Sequence, residues 1–184
     1  MNQFKVNYDY EIILTLLKKQ SHGRELASTL RTSLTRVQII LSGLRTANVI
    51  DFEIRGRNHM YFIKKNLISK AHVLNAEQYK LTKLLSKYSF LEPLCREITI
   101  LYPRLMILLF GSYAKFIPKE NSDIDLYVYT SSRKIKEGIQ RLHHRLSVHI
   151  GDFNKDDLLM QEIMNDHVII QGGEQYYEKL RLFT

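Results

Sequence analysis

The sequence predicts an α+β chain in two parts: three helices closed by a β-hairpin, then a region where short strands and helices alternate. Three observations carry this. Apolar residues recur at helical spacing in three successive segments before Ala47. Two alternating runs then flank the turn-forming Arg55-Gly56-Arg57-Asn58. Further on, the wholly apolar Met106–Phe110 and the alternating Asp123–Tyr129 stand among helical patterns. The expected division is 1–66 and 67–184, with 67–90 a helical connector.

The elements of the first part follow in order. Asp9 to Lys19 places Ile12, Ile13, Leu16 and Leu17 at helical spacing, and Ser21-His22-Gly23 breaks it, with Gly23 as a C-cap or turn. Arg24 to Leu30 is a short helix with Leu26, Ala27 and Leu30 on one face. Thr32-Ser33 turns the chain, and Ser33 or Thr35 can N-cap a longer helix, Leu34 to Ala47, buried through Val37, Ile40, Leu41 and Leu44. Val49–Ile54 and His59–Lys64 read as the hairpin strands.

Composition limits the function. The chain of 184 residues is 45% hydrophobic and 25% charged, enough to bury a core without staples. The one cysteine, Cys95, has no internal disulfide partner; its apolar setting points to core packing, and a lone thiol fits a reducing cytosol. The longest apolar run, Leu105 to Gly111, is far shorter than the roughly 20 residues that span a bilayer. Met1-Asn2-Gln3-Phe4-Lys5 has no apolar signal region. The expected location is the cytoplasm, with no membrane partner. Net charge is +8, and residues 1–66 hold +6 of it, 11 Lys and Arg against 5 Asp and Glu. That is where a polyanion would bind.

Three helices followed by a basic-tipped hairpin, over residues 8–65, resemble the winged helix-turn-helix family. The resemblance implies double-stranded DNA as a partner. Arg36, Gln38 and Arg45, with Thr35 and Ser42, would lie on the exposed face of the helix that enters the major groove. Arg55 and Arg57 at the hairpin tip would meet phosphates or the minor groove. Protein interaction or dimerisation is the competing use of such a module, and a homodimer is a further expectation.

The second part opens with one or two helices over Ile68–Tyr88 and another over Leu91–Tyr102, which Pro103 ends. The chemistry-bearing stretch follows. The apolar run Met106–Phe110 reads as a strand buried on both faces, and it ends in Gly111-Ser112, a sharp turn that brings backbone close to something. Ten residues later, Asp123-Ile124-Asp125 opens a second strand. Residues i and i+2 of a strand share a face, so the two carboxylates project together while Ile124 and Leu126 turn inward. Paired carboxylates repel, and a divalent cation resolves the conflict. Mg2+ takes one or two protein carboxylates and completes its shell with water and phosphate oxygens. Backbone N–H groups at the Gly-Ser turn suit a phosphate. Together these make a coherent phosphoryl-transfer site.

Phe110-Gly111-Ser112 followed after ten residues by Asp123-Ile124-Asp125 resembles the signature of the DNA polymerase beta-type nucleotidyltransferase superfamily. Gly111-Ser112-Tyr113-Ala114 and Ser122-Asp123-Ile124-Asp125-Leu126 look most like its small, minimal members of archaea and bacteria. The resemblance covers about Ile68 to Thr184. It implies a mixed sheet flanked by helices and transfer of a nucleoside monophosphate from an NTP to an acceptor the sequence does not name. Gly111 and Ser112, with Ser122 beside them, would bind the nucleotide; Asp123 and Asp125 would hold Mg2+ (or Mn2+).

The chain departs from the family pattern twice. Phe116 stands near a common glycine. A later strand, Leu146–Ile150, presents His149 where active members carry a third carboxylate, and Asp152 falls on the opposite parity. His149 can accept a proton in that role. The missing acid supports a second reading, a DNA-binding transcriptional regulator whose degenerate transferase domain is a nucleotide sensor or dimerisation platform. Some minimal members belong to toxin–antitoxin pairs, a third possibility resting on family analogy alone. Lys115 and Lys119 read as surface lysines. His143-His144, with Arg141 and Arg145, reads as a solvated helix face. Asp156 to Arg181 reads as a closing helical cap, N-capped by Asn154 or Asp156, with the short apolar His167–Ile170 inside it.

Overall fold

The computed structural model describes residues 4–183. Met1 to Gln3, part of the stretch read above for a signal region, and Thr184, the end of the second expected domain, lie outside them. The chain divides into two compact units, one holding residues up to Tyr79 together with those from Arg181 on, the other Lys80–Leu180.

In the first unit, α1 (Tyr8–Lys18), α2 (Gly23–Thr29) and α3 (Leu34–Thr46) precede β1 (Ile50–Arg55) and β2 (Asn58–Ile63). Asn7 Oδ1 starts α1 by accepting the N–H groups of Asp9 and Tyr10, and Ile12, Ile13 and Leu16 are buried as their spacing requires. Gly23 does not end a helix; it opens α2. His22 Nδ1 accepts the N–H of Glu25 at 3.2 Å, so an imidazole is the N-cap. Histidine is not a favoured cap, which is why the sequence pattern points the other way. Ser33 caps α3 through Arg36 N, and Val37, Leu41 and Leu44 are buried while Ile40 is only partly so. β1 and β2 pair from Ile50↔Ile63 to Arg55↔Asn58, leaving a two-residue turn in which Gly56 has φ +62°. Ser21 and Tyr61 exchange backbone hydrogen bonds of 3.3 and 2.9 Å, a bridge that extends the hairpin. α4 (Leu67–Lys87) is a single helix of 21 residues, and the division between the units falls within it.

The second unit contains α5 (Leu91–Leu101), β3 (Ile107–Phe110), α6 (Gly111–Ala114), β4 (Ile124–Tyr129), α7 (Arg133–Gln140), β5 (Leu146–Gly151), α8 (Leu158–Asn165), β6 (Val168–Gln171) and α9 (Gly173–Leu180). The strands form one sheet in the order β5-β4-β3-β6. β3 is antiparallel to β4 and β6, while β4 is parallel to β5, so the sheet is mixed. β3 is central, and every residue in it is buried. Leu91, Leu94, Ile98, Ile107, Leu109, Leu126, Val148 and Ile170 share the core. Cys95 is buried there, and burial pushes its thiol up to about 11.

Two expectations for the closing segment need correction. It is not purely helical: Val168–Gln171 is β6, the partner of β3. Four apolar residues are too few for periodicity to separate strand from helix. The cap of α8 is Asp157, whose Oδ1 accepts the N–H of Leu159, while Asn154 Oδ1 is spent on the N–H of Asp156 in the preceding turn. No helix among the described residues is long and apolar enough to cross a membrane.

Candidate active site

The antiparallel register of β3 and β4 sets Phe110 opposite Asp125. Immediately past Phe110 the chain turns at Gly111, φ +68°, into the single turn of α6. The turn presses backbone against the carboxylate. A Cβ on Gly111 would overlap Oδ2 of Asp125 and lie 3.2 Å from its Cγ. Glycine is therefore required twice, for a left-handed conformation and for space. Asp123, exposed, stands one residue before β4 and two before the half-buried Asp125. Burial holds the Asp125 carboxyl above its ordinary range. The charges of Asp123 and Glu162 push the same way, whereas a hydrogen bond from Ser147 and the proximity of His149 pull it down.

β5 supplies those last two groups. Its parallel register pairs Asp125 with Ser147 and Tyr127 with His149. The strand position beside Asp125 is thus Ser147, and His149 lies one step further along the same face. His149 Nε2 is 3.2 Å from Ser147 Oγ, and its ring meets Phe110 edge-on at 5.5 Å. Ser147 and His149 are thus hydrogen-bonded to each other on the strand beside Asp125. The strand parity that singles out His149 singles out Ser147 equally, since a spacing of two turns both to the same face. Asp152 is exposed beyond the end of β5. Glu162, from α8, had no local signal; its carboxylate pairs with Lys115 Nζ at 2.9 Å.

The loop between turn and strand is fixed by Arg145. Its Nε and Nη2 donate to the Ser122 carbonyl at 3.1 and 2.7 Å, and Nη2 also reaches the Tyr113 hydroxyl. Its own carbonyl accepts the N–H of Ile124 at 2.8 Å. The guanidinium lies against the Phe90 and Tyr113 rings. One half-buried side chain therefore joins α6, the residue before Asp123 and the start of β4. Arg145 is not on a solvated helix: α7 ends at Gln140, and His143 Nδ1 accepts the N–H of Arg145 in the turn that follows. Ser122 Oγ accepts the N–H of Lys119 at 2.8 Å and closes the loop. Ser112 is half-buried on α6. Phe116, which follows α6, has φ +60°; Lys87 Nζ donates to its carbonyl at 3.1 Å.

In the first unit, the five basic or amide residues expected at DNA have different surroundings. Arg36 lies over the Tyr8 ring at 5.1 Å and Arg45 over Phe52 at 4.6 Å. Arg55 pairs with Glu53. Gln38 and Arg57 line one cleft with His22, Arg24 and His59.

Among the described residues no three His, Cys, Asp or Glu side chains are grouped to hold a metal ion. Asp123 and Asp125 remain a two-carboxylate donor set, which fits an ion that takes its other ligands from water and phosphate.

A strand, a glycine turn against an aspartate, and an Asp-x-Asp at the start of the neighbouring strand make an arrangement whose chemistry suits phosphoryl transfer. The family model described as "Polymerase beta, Nucleotidyltransferase" matches residues 98–175, from the end of α5 to the start of α9. That match supports the superfamily for this stretch, and with it nucleotidyltransferase activity, an NTP substrate and the divalent metal such domains generally use. Comparisons with curated proteins and with solved structures returned no match.

Proposed function

We propose that the second unit transfers a nucleoside monophosphate from an NTP to an acceptor hydroxyl, forming an oxygen–phosphorus bond at the α-phosphate and releasing pyrophosphate. The single observation carrying this reading is the close approach of Gly111 to the Asp125 carboxylate, which supports a phosphate-holding role for the turn and a metal-holding role for the aspartates. Asp123 and Asp125 would hold Mg2+ or Mn2+, which when bound neutralises charge on the phosphates. Gly111 and Ser112 orient the triphosphate, and the Ser122 turn holds the approach to Asp123. His149, whose Nε2 shares a hydrogen bond with Ser147, would take the acceptor proton. Incubation with labelled NTPs and Mg2+ or Mn2+ tests the reading. Transfer that Asp125→Asn abolishes supports it; absence of NTP and metal binding by calorimetry removes it.

We read the first unit as a winged helix-turn-helix for double-stranded DNA, using Arg36, Gln38, Arg45, Arg55 and Arg57, and place the protein in the cytoplasm. Its element order and the +6 charge of residues 1–66 support this. Loss of duplex binding with rising salt is the expected result, and duplex binding indifferent to salt, or none, ends it. One observation favours a second reading, a regulator that binds nucleotide without transferring it: beside Asp125 stands Ser147, not a third acid. NTP and metal binding without any transferred product would select that reading.

A further inference from the structure

We propose that the cleft of the first unit, between α2, α3 and the hairpin, is a phosphate-ester site in which Arg24 and Arg57 hold the anion. The cleft has a volume of about 470 Å³. That exceeds what a bare ion fills and lies within the ~300–1,000 Å³ range of small-ligand sites. Arg24, Arg57, His22, His59, Gln38 and Asn58 are among its lining residues, and no carboxylate is.

The arginines of this unit are not equivalent. Arg36, Arg45 and Arg55 are engaged by Tyr8 and Thr32, by Phe52 and by Glu53. Arg24 and Arg57 have no hydrogen-bond, ion-pair or ring partner among the described residues. Glu25, next to Arg24 in the chain, is taken by Lys19. Two unpaired guanidinium groups at one cleft without an acid repel each other, and an anion between them reverses the sign of that energy. Guanidinium forks match phosphate oxygens in pairs, and the Gln38 and Asn58 amides add donors for the oxygens that remain. The +6 charge of residues 1–66 draws polyanions to this unit.

The carrier of the phosphate is either a nucleic-acid backbone or a free nucleotide. The backbone-phosphate outcome rests on the duplex reading, with which it shares Gln38 and Arg57, whereas the free-nucleotide outcome does not; neither depends on nucleotidyl transfer by the second unit.

The test uses the full chain with a chelator present, which removes metal-dependent nucleotide binding elsewhere. Anisotropy of a labelled short duplex and calorimetric titrations with adenosine monophosphate and pyrophosphate supply the probes. Arg24 and Arg57 are exposed, so their replacement leaves the core intact. We expect R24A/R57A to weaken the probe that binds by about tenfold or more, R24K/R57K to weaken it less, and the exposed Arg133→Ala to leave it unchanged. Binding of the duplex alone identifies a backbone phosphate; binding of the monophosphate identifies a free nucleotide, and either supports the site. Failure of every probe to bind, or R24A/R57A binding within about twofold of the parent, overturns it.

Discussion

Replacing Gly111 by alanine adds one methyl group where the β3–α6 turn meets Asp125. Two costs follow from the structure. At φ +68° an L-residue is strained by about 1–2 kcal/mol relative to its preferred conformations. The new Cβ also falls on Oδ2 of Asp125 and 3.2 Å from its Cγ, so the carboxylate must leave its rotamer. A displacement of that kind costs about 0.5–1.5 kcal/mol. The total is about 1.5–3.5 kcal/mol, and each kcal/mol is worth about 4–8 °C of melting temperature in a domain the size of Lys80–Leu180. Thermal denaturation followed by circular dichroism measures the first effect. A double-mutant cycle isolates the second: with Asp125→Ala in place the clash is gone, so Gly111→Ala should cost only its backbone share, a coupling of about 1 kcal/mol. Gly43→Ala is the control, because a Cβ there meets nothing within 4 Å and the position is helical; it should stabilise by about 1 kcal/mol. Strict additivity of Gly111→Ala with Asp125→Ala, or a Gly111→Ala cost well below about 1 kcal/mol, would refute the claim that turn and carboxylate are packed together. Any activity of the site should fall by about a hundredfold, the cost of roughly 1 Å of misplacement.

Three further outcomes follow from the same contacts. Arg145→Ala leaves the Ser122 carbonyl without its two donors and should cost about 1–3 kcal/mol in urea denaturation; lysine, lacking the fork, should not restore it, and full rescue by lysine would sink the account. Gln140 joins the edge strand through its side chain, accepting from Val148 N at 3.0 Å and donating to the Leu146 carbonyl, so Gln140→Ala should destabilise by about 1–3 kcal/mol. Gln140→Glu, keeping the acceptor and losing the donor, should lie between alanine and the parent on the same denaturation curves. Asp125→Asn should stabilise the metal-free protein at neutral pH. The folded-state pKa of Asp125 is raised by burial, so protonation favours the fold: stability from this group is present below its unfolded pKa and is lost as pH rises through the folded value. The gain from asparagine should therefore vanish in acid, and denaturation across pH with a chelator present would show the reverse if the raised pKa is wrong.

Much was legible in the chain because the signals were local. The helices of the first unit announced themselves by apolar spacing, Ser33 by its hydroxyl ahead of a helical run, and the hairpin by alternation around Gly56. Gly111, Asp123 and Asp125 stood out because a strand end, a glycine and a period of two each carry their meaning within a few residues. His22 as a cap and Val168–Gln171 as a strand did not. The first depends on one imidazole tautomer and the second on a partner strand about 60 residues away in sequence.

The sequence by itself determined which residues could do chemistry and which face of β4 they share, since a strand's alternation is a property of the backbone. Tertiary structure decided what surrounds them. The parallel pairing of β4 and β5 put Ser147 beside Asp125; α8 brought Glu162 toward it; the β3–β4 register set Gly111 against its carboxylate. Arg145 became the tie between turn and strand only once the chain had closed on itself. Register and long-range contact join residues far apart in sequence, and no window of a single chain encodes them.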